Sequence, residues 1–329
     1  MADRRETLVV VSIDTEEDNW DRSRNGVGVD NLRQMPRLAR FFERLGIRPT
    51  YFTSYQVAIA LRAADMVRDA CANGAGEIGA HLHPWNTPPL VEAFVPRNSM
   101  TKNLPVDVQR AKIARLTAAL AHAFGERPRA FRAGRYGLGP DTVRVLADAG
   151  YGVDSSVSPY TDLRSTDDGP NFVGAPLDVY RLGLNGDVRR PDPAGRLAEV
   201  PLSCGYSRTP FAFWDPVRRL LEREPLRRLR LAGLAARTGV VQRLTLCPEL
   251  ATEAEMLTLS RRLLEQGARH LHVSWHSPTL TPGLSPFAAT ASDVARLFYC
   301  VEAYLDGLAS LTSVRFVTVS EAADLLLSR

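Results

Sequence analysis

Residues 7–18 read TLVVVSIDTEED, a short apolar run that passes directly into acidic side chains. A run of this length with polar residues behind it is typical of a buried strand, and we predict one from Thr7 to Ile13. Carboxylates directly after a strand lie where loops leave a parallel sheet, and such sheets bind their ligands there. The stretch therefore predicts both a strand and a candidate site.

The same alternation continues along most of the chain and indicates a parallel sheet with helical crossovers. We predict further strands at 49–53, 77–80, 130–133, 152–153, 197–201, 270–275 and 314–317. Helices are predicted at 30–45, 55–72, 107–124, 140–149, 252–266, 292–308 and 320–328, with a capping box at Thr252 and Glu255. We treat residues 1–329 as a single domain and residues 160–243, where the rhythm lapses, as an irregular elaboration within it.

Composition excludes several classes of protein. Of the 329 residues 45% are hydrophobic and 24% charged, which is ordinary globular usage, and the net charge of only +4 does not argue for a nucleic-acid partner. The four cysteines are scattered singly, which favours reduced thiols over disulfides. We find neither an export signal nor an apolar run of membrane-spanning length, so we expect a cytoplasmic protein, and the oligomeric state stays open.

A basic helical stretch is predicted at 216–237, inside the elaboration. Its apolar and basic residues are compatible with an anionic membrane or a phosphorylated substrate. A solvated helix with its apolar side packed inward accounts for the same pattern, and we favour that interpretation.

Two histidines stand one residue apart in GAHLHPWN, residues 79–86. Side chains two apart on extended backbone project to the same side, and Pro84 favours extended backbone at His83. A histidine pair alone is also compatible with simple packing. Asp14 and Glu16 have the same spacing, however, and two imidazoles with one carboxylate leave a divalent ion an open position, as in catalytic metal sites.

Other predicted strand ends carry reactive groups as well. FRAGRYG, residues 131–137, supplies Arg132 and Arg135, VDSS supplies Asp154, and WHSPTLTPG supplies His276. Each of these could simply cap a helix or pack in the core. Because five of about seven strand ends carry groups useful for hydrolysis, we interpret them as one shared site.

Taken in this order, the segments resemble the motifs of the polysaccharide deacetylases, carbohydrate esterase family four. The residues within them are most similar to those of the WalW-like subgroup. SIDTEE stands where the family has its paired aspartates, and EIGAHLHPW stands where the family has its two histidines. FRAGRYG stands at the family's arginine motif, YGVDSS at its next aspartate motif and LHVSWHSP at its last histidine motif. The resemblance runs from about Leu8 to Leu327, and the middle of the chain matches poorly. It implies a distorted (β/α) barrel, often seven-stranded, that binds one divalent metal ion and removes acetyl groups from N-acetylated sugars.

The resemblance also implies catalytic roles. Asp14 corresponds to the general base, Arg132 to the residue that orients it by an ion pair, and His276 to the general acid for the departing amine. A water activated by the metal ion would lose a proton to Asp14 and attack the acetyl carbonyl, with the oxyanion held by the ion and a backbone N–H.

The metal ligands are implied with two departures from the family pattern. The family spaces its two histidines four apart, which falls on Trp85 here, so His83 is substituted as the partner of His81. The adjacent carboxylate pair is spread into D-T-E, which makes Glu16 the expected ligand. The roles of Asp14 and Glu16 could be exchanged, or Glu17 could be the ligand instead.

Zinc is our first choice of metal, and cobalt, nickel, manganese and iron also suit two imidazoles and a carboxylate. Trp275 is expected in the core rather than on a sugar ring. The side chains expected to contact substrate are Trp85, Arg135, Tyr136, Asp154 and Tyr160.

The expected function is removal of an N-acetyl group from an N-acetylated sugar, a sugar nucleotide or a lipid-linked glycan intermediate. Two alternatives stay open. The same barrel could hydrolyse a non-sugar amide or a cyclic imide, or it could be a catalytically inactive module that binds a glycan or a partner.

Overall fold

The computed structural model describes residues 6–20, 27–184, 186–222 and 241–328. Within these ranges the strands, numbered in chain order, are β1 Glu6–Thr15, β2 Thr50–Ser54, β3 Glu77–Leu82, β4 Ala130–Ala133, β5 Val153–Asp154, β6 Tyr180–Leu182, β7 Leu197–Glu199, β8 Cys204–Tyr206, β9 Arg243–Thr245, β10 His270–His276 and β11 Ser313–Val317. The α-helices are α1 Met35–Leu45, α2 Tyr55–Ile59, α3 Leu61–Ala70, α4 Val106–Phe124, α5 Pro140–Asp148, α6 Phe211–Glu222, α7 Glu253–Glu265, α8 Ala291–Leu311 and α9 Val319–Leu327.

Nine of these strands form one sheet, in the order β10-β1-β2-β3-β4-β5-β7-β6, with β11 also paired to β1. All pairings are parallel except that of β6 with β7. The sheet curls into a half-barrel, which confirms the predicted fold class. The sheet has nine strands in the described residues, where the resemblance implied a barrel that is often seven-stranded. Eight of the nine were predicted from the sequence, and the ninth, β6, is only three residues long and gives no periodic pattern.

The gap between β7 and β10 is bridged by irregular backbone from the elaboration. The amide of His272 donates to Ser203 Oγ at 2.8 Å, and the amide of Ser274 donates to the carbonyl of Leu246 at 3.0 Å. Residues near the small β8–β9 sheet therefore complete the barrel wall beside β10.

Strand β1 shows how the barrel interior is built. Val9, Val11 and Ile13 belong to the core between sheet and helices, whereas Leu8 and Val10 belong to a second cluster inside the barrel. Because side chains alternate along a strand, Ser12 and Asp14 continue the inner row. The inner row is thus apolar at the amino end of β1 and polar at its carboxyl end.

The predicted elements are found with boundary shifts of one to three residues, apart from two helices. The helix expected at 30–45 begins as the 3-10 turn Asp30–Gln34 before α1, and the one expected at 55–72 is divided into α2 and α3 by extended backbone at Ala60. The capping box of Thr252 and Glu255 is present at α7. Only the start of the basic stretch, in α6, is described, and residues 223–237 lie outside the described ranges.

We searched the described helices for one that is long and apolar enough to cross a bilayer and found none.

Candidate metal and catalytic site

The candidate site lies at the carboxyl ends of β1, β3, β4 and β10. Asp14 is in register with His276 on β10, and His81 is in register with Arg132 on β4. Two strands separate β1 from β4, about 14 Å in a flat sheet, yet Arg132 Nη1 donates to Asp14 Oδ1 at 2.6 Å. The curl of the sheet and the long arginine side chain, which passes 4.1 Å over the ring of Phe52, make this contact across the barrel interior.

Glu16, His81 and His83 form a buried three-residue cluster that could hold a metal ion. Glu16 Oε2 lies 3.2 Å from His81 Nε2 and 3.1 Å from His83 Nε2. Ligands held about 2.1 Å from one ion at tetrahedral to right angles lie roughly 3.0–3.4 Å apart. These two distances therefore fit a divalent ion with open positions, and all three ligand atoms lie within 4.8 Å of one another.

Hydrogen bonds fix the orientation of both imidazoles. His81 Nδ1 lies 3.1 Å from the carbonyl oxygen of Arg132, and His83 Nδ1 lies 2.6 Å from Glu17 Oε1. Because these oxygens only accept, Nδ1 carries the proton in each ring, and Nε2 is directed at Glu16, as in second-shell contacts of metal sites. Glu17 therefore contacts the Nδ1 atom of His83 and is not itself a member of the three-residue cluster.

Asn86, which the sequence analysis did not single out, donates to Glu17 Oε1 at 2.6 Å and holds that carboxylate in place. Burial alone would lower the pKa of His83, but Glu17 and then Glu16 raise it to about 10. The loop that follows β3 therefore supplies both a candidate ligand and the support for that ligand.

Asp14 lies next to the cluster. Its Oδ2 is 4.0 Å from His81 Nε2 and 3.9 Å from His276 Nε2, while Oδ1 accepts from Arg132. Burial would raise the pKa of Asp14, but the charges of Arg132, His81 and His276 together lower it. Asp14 is consequently ionised at neutral pH and can accept a proton.

His276 has the opposite protonation state. Its Nδ1 donates to Glu249 Oε2 at 2.7 Å, its backbone amide donates to Glu249 Oε1 at 3.1 Å, and Thr279 Oγ1 donates to Glu249 as well. Burial would lower the pKa of His276, but the Glu249 carboxylate raises it to about 10. Glu249 follows β9 in an irregular segment, where no motif in the sequence pointed to it.

Arg132 is held by further partners below Asp14. Its Nη2 donates to Ser12 Oγ at 2.9 Å and lies 3.3 Å from His272 Nε2, and its Nε donates to the carbonyl of Ser155 at 2.9 Å. Arginine only donates, so His272 Nε2 must be an acceptor. Burial, and then the charge of Arg132, keep the pKa of His272 well below its usual value, so this ring is neutral.

Two of the predicted substrate residues border the cluster. Trp85 stacks on the imidazole of His83, with ring centroids 4.2 Å apart and an angle of 19° between the planes. Tyr136 has a positive φ of 59°, and burial, followed by the charge of Asp14, raises the pKa of its phenol.

Asp154 is fully buried and faces Glu199, its register partner on β7, rather than the cluster. Its carboxylate accepts from the amide and the hydroxyl of Ser156, both at 2.9 Å. Burial raises the pKa of Asp154 and, together with the Asp154 charge, that of Glu199. Asp154 and Glu199 are therefore two buried acids side by side, and burial favours their protonated forms.

Arg135 and Tyr160 are engaged elsewhere. Arg135 Nη1 forms an ion pair with Asp167 at 2.6 Å, and the Tyr160 ring packs edge-on against Tyr206 and Phe211. The structure therefore brings neither side chain to the cluster. Trp275 is buried in the main core, as predicted.

No family model matches the chain, and no curated protein matches it. Solved structures do. One provisionally described as a polysaccharide deacetylase from Mycobacterium smegmatis has 18% identity and a TM-score of 0.55, with 100% of this chain and 92% of that one covered. Another, from Parabacteroides distasonis and provisionally described as a glycoside hydrolase/deacetylase, has 13% identity and a TM-score of 0.62, with 98% and 71% covered.

Puue allantoinase has 13% identity and a TM-score of 0.52, with 97% of this chain and 89% of that one covered. At such identities the similarity speaks for the architecture and not for the reaction. The chain has the fold of the polysaccharide deacetylases.

Proposed function

We propose that the chain is a metal-dependent amide hydrolase that removes the N-acetyl group from an N-acetylated sugar, a sugar nucleotide or a lipid-linked glycan intermediate. The observation that carries the proposal is the convergence of a three-ligand cluster with two proton-transfer groups, Asp14 and His276, whose pKa values are displaced in opposite directions. We treat the chain as one domain, nearest to the WalW-like subgroup in its motifs.

Glu16, His81 and His83 would hold a divalent ion, which would supply Lewis acidity for a water and for the amide carbonyl. Asp14, kept ionised and oriented by Arg132, takes the proton of that water. His276, kept protonated by its hydrogen bond to Glu249, donates a proton to the leaving amine nitrogen. Both groups start in the protonation state that amide hydrolysis requires, so no proton has to be exchanged with solvent before the first turnover.

Zinc is the first choice for this donor set, and cobalt, nickel, manganese and iron are tested beside it. The stripped protein is reloaded with each metal and screened against acetylated sugar nucleotides, lipid-linked sugars, simple amides and cyclic imides, with acetate and amine measured separately. The proposal is supported if acetate is released from the acetylated sugars and neither the simple amides nor the cyclic imides are cleaved. Cleavage of imides alone assigns the barrel to non-sugar substrates.

Two groups of variants separate metal binding from proton transfer. His81→Ala with His83→Ala is expected to abolish metal uptake. Asp14→Asn and His276→Gln are expected to retain the metal and lose roughly a hundredfold or more in rate. The proposal would be contradicted if the unaltered protein takes up no divalent ion. It would also be contradicted if the double histidine variant binds metal as well as the unaltered chain does. Binding of a sugar without its cleavage would favour the catalytically inactive module.

A further inference from the structure

A small apolar pocket of about 150 Å³ lies beside the metal cluster and has no part in the reaction described above. Trp85, Ala93, Phe94, Val95 and Pro96 form most of its wall. Trp85 belongs to both places, because its indole stacks on the candidate ligand His83 at 4.2 Å. Trp85 therefore contacts both the pocket and a candidate metal ligand.

The pocket lies on the catalytic end of the barrel. One wall comes from the loop after β3, which carries Trp85. Another comes from the segment around Ser99, which is fastened to the loop after β4: Arg135 donates to Ser99 Oγ, and the amide of Lys102 donates to the carbonyl of Gly137 at 2.9 Å. Loops at this end of the strands are those that form substrate sites in parallel barrels.

The loop after β3 is held in place by a buried lysine. Lys112, on α4, donates from Nζ to the carbonyls of Pro84, Thr87 and Pro89 at 2.9, 2.7 and 2.6 Å. The same Nζ lies 3.1 Å from the buried carboxylate of Glu92, which borders the pocket, so that charge is neutralised inside the protein. Glu92 therefore presents no uncompensated charge to a ligand in the pocket.

The rim of the pocket is apolar and exposed. Phe94 and Val95, which line the pocket, are 55% and 47% exposed. Val91, which precedes the lining segment in the chain, is 69% exposed. Exposed apolar clusters of this kind mark binding sites. A cavity of about 150 Å³ holds a group the size of benzene.

We propose that this pocket binds an uncharged apolar group of the amide substrate, about the size of a phenyl ring or a six-carbon chain. The inference rests on the proposed function, because the group is carried into the site by the amide that is cleaved. The group belongs either to the acyl chain or to the substituent on the sugar, and both present the same chemistry to the pocket.

Kinetics with paired substrates distinguish the two sources. The first pair is the methyl and phenyl β-glycosides of N-acetylglucosamine, and the second is the methyl glycoside with an N-acetyl or an N-hexanoyl group. In one pair the larger substrate is expected to have a kcat/KM roughly 10- to 50-fold higher, from the apolar area that the pocket removes from water. Equal values within both pairs would overturn the inference.

Val95→Asp, which brings a charge to the pocket wall, is expected to abolish that preference. Leu250→Asp is the matched control, since Leu250 is 65% exposed and does not line this pocket, and it should retain the preference. Both positions are exposed, so neither variant is expected to impair folding.

A binding measurement keeps this test independent of turnover. Benzyl alcohol is titrated while the indole N–H signal of Trp85, assigned with Trp85→Phe, is followed by NMR. A saturable shift in the unaltered chain and in Leu250→Asp, absent in Val95→Asp, supports the pocket even if no amide is cleaved, in which case the proposed function fails alone. Cleavage of amides without any such shift refutes the pocket alone.

Discussion

Replacement of Glu249 by glutamine should lower the pKa of His276 and thereby the alkaline limit of activity. The carboxylate accepts from Nδ1 at 2.7 Å and raises that pKa from its ordinary 6.5 to about 10, although burial acts in the opposite direction. Without the Glu249 charge, only the smaller contributions of Glu16 and Asp14 oppose burial, and the pKa should fall towards its ordinary value of 6.5. A full return to that value would lower the protonated fraction of His276 at pH 8 from about 99% to about 3%, roughly a 30-fold loss of the proposed general acid, and at pH 6 by only about 1.3-fold.

The assay is an NMR titration of the His276 ring, assigned with His276→Gln, together with the pH profile of kcat/KM once a substrate is known. Glu253→Gln is the control, since it removes a nearby carboxylate that has no contact with His276 in the described structure. The raised pKa also means that protonated His276 stabilises the fold fully below pH 6.5, and that this contribution is lost as the pH rises towards 10. If the pKa of His276 is the same in Glu249→Gln as in the unaltered chain, the Glu249 carboxylate is not what raises it, and the prediction is wrong.

Three further perturbations follow from contacts in the barrel. Gly134→Ala would place a Cβ 2.5 Å from the ring of a ligand histidine and should weaken metal binding at least about tenfold by calorimetry, whereas Gly186→Ala, with open space around it, should not. Glu199→Gln should raise the Tm of the protein at pH 8, because burial raises the pKa of this carboxyl and ionisation at higher pH destabilises the fold; a lower Tm would contradict this. His272→Gln keeps a hydrogen-bond acceptor near the position of Nε2 and should retain kcat. His272→Met removes that acceptor and should lower kcat with little change in KM, and it should broaden the NMR signals of the Arg132 guanidinium. If the two variants behave alike, His272 does not position Arg132.

The regular part of the fold was accessible from the sequence because long apolar strands and amphipathic helices have a period. Strand β1 and helix α7 with its capping box are examples. Strands β6 and β8, with three residues each, have no period to detect, and irregular backbone bridges the barrel beside β10. These short strands and irregular segments are held by hydrogen bonds between residues far apart in the chain, and such pairings cannot be predicted from a local sequence pattern.

The candidate site divides in the same way. Spacing two apart on extended backbone brought His81 and His83 to a common point, and the carboxyl end of β1 supplied Glu16 beside them. Glu249 could not be predicted, because a single acid in a loop has no signature until the fold brings it to His276. Asp154 belongs to a recognisable motif, but in the fold its neighbour is Glu199 on the adjacent strand and not the metal-ligand cluster.

The position of β1 has a consequence for how the chain is made. This strand is synthesised well before β10 and β11, with which it pairs and whose residues come more than 250 positions later. Contacts so distant in sequence form slowly, and until β10 and β11 emerge the apolar β1 has only β2 beside it. A nascent or truncated chain that ends before β10 should therefore aggregate or require a chaperone, and it would also lack His276.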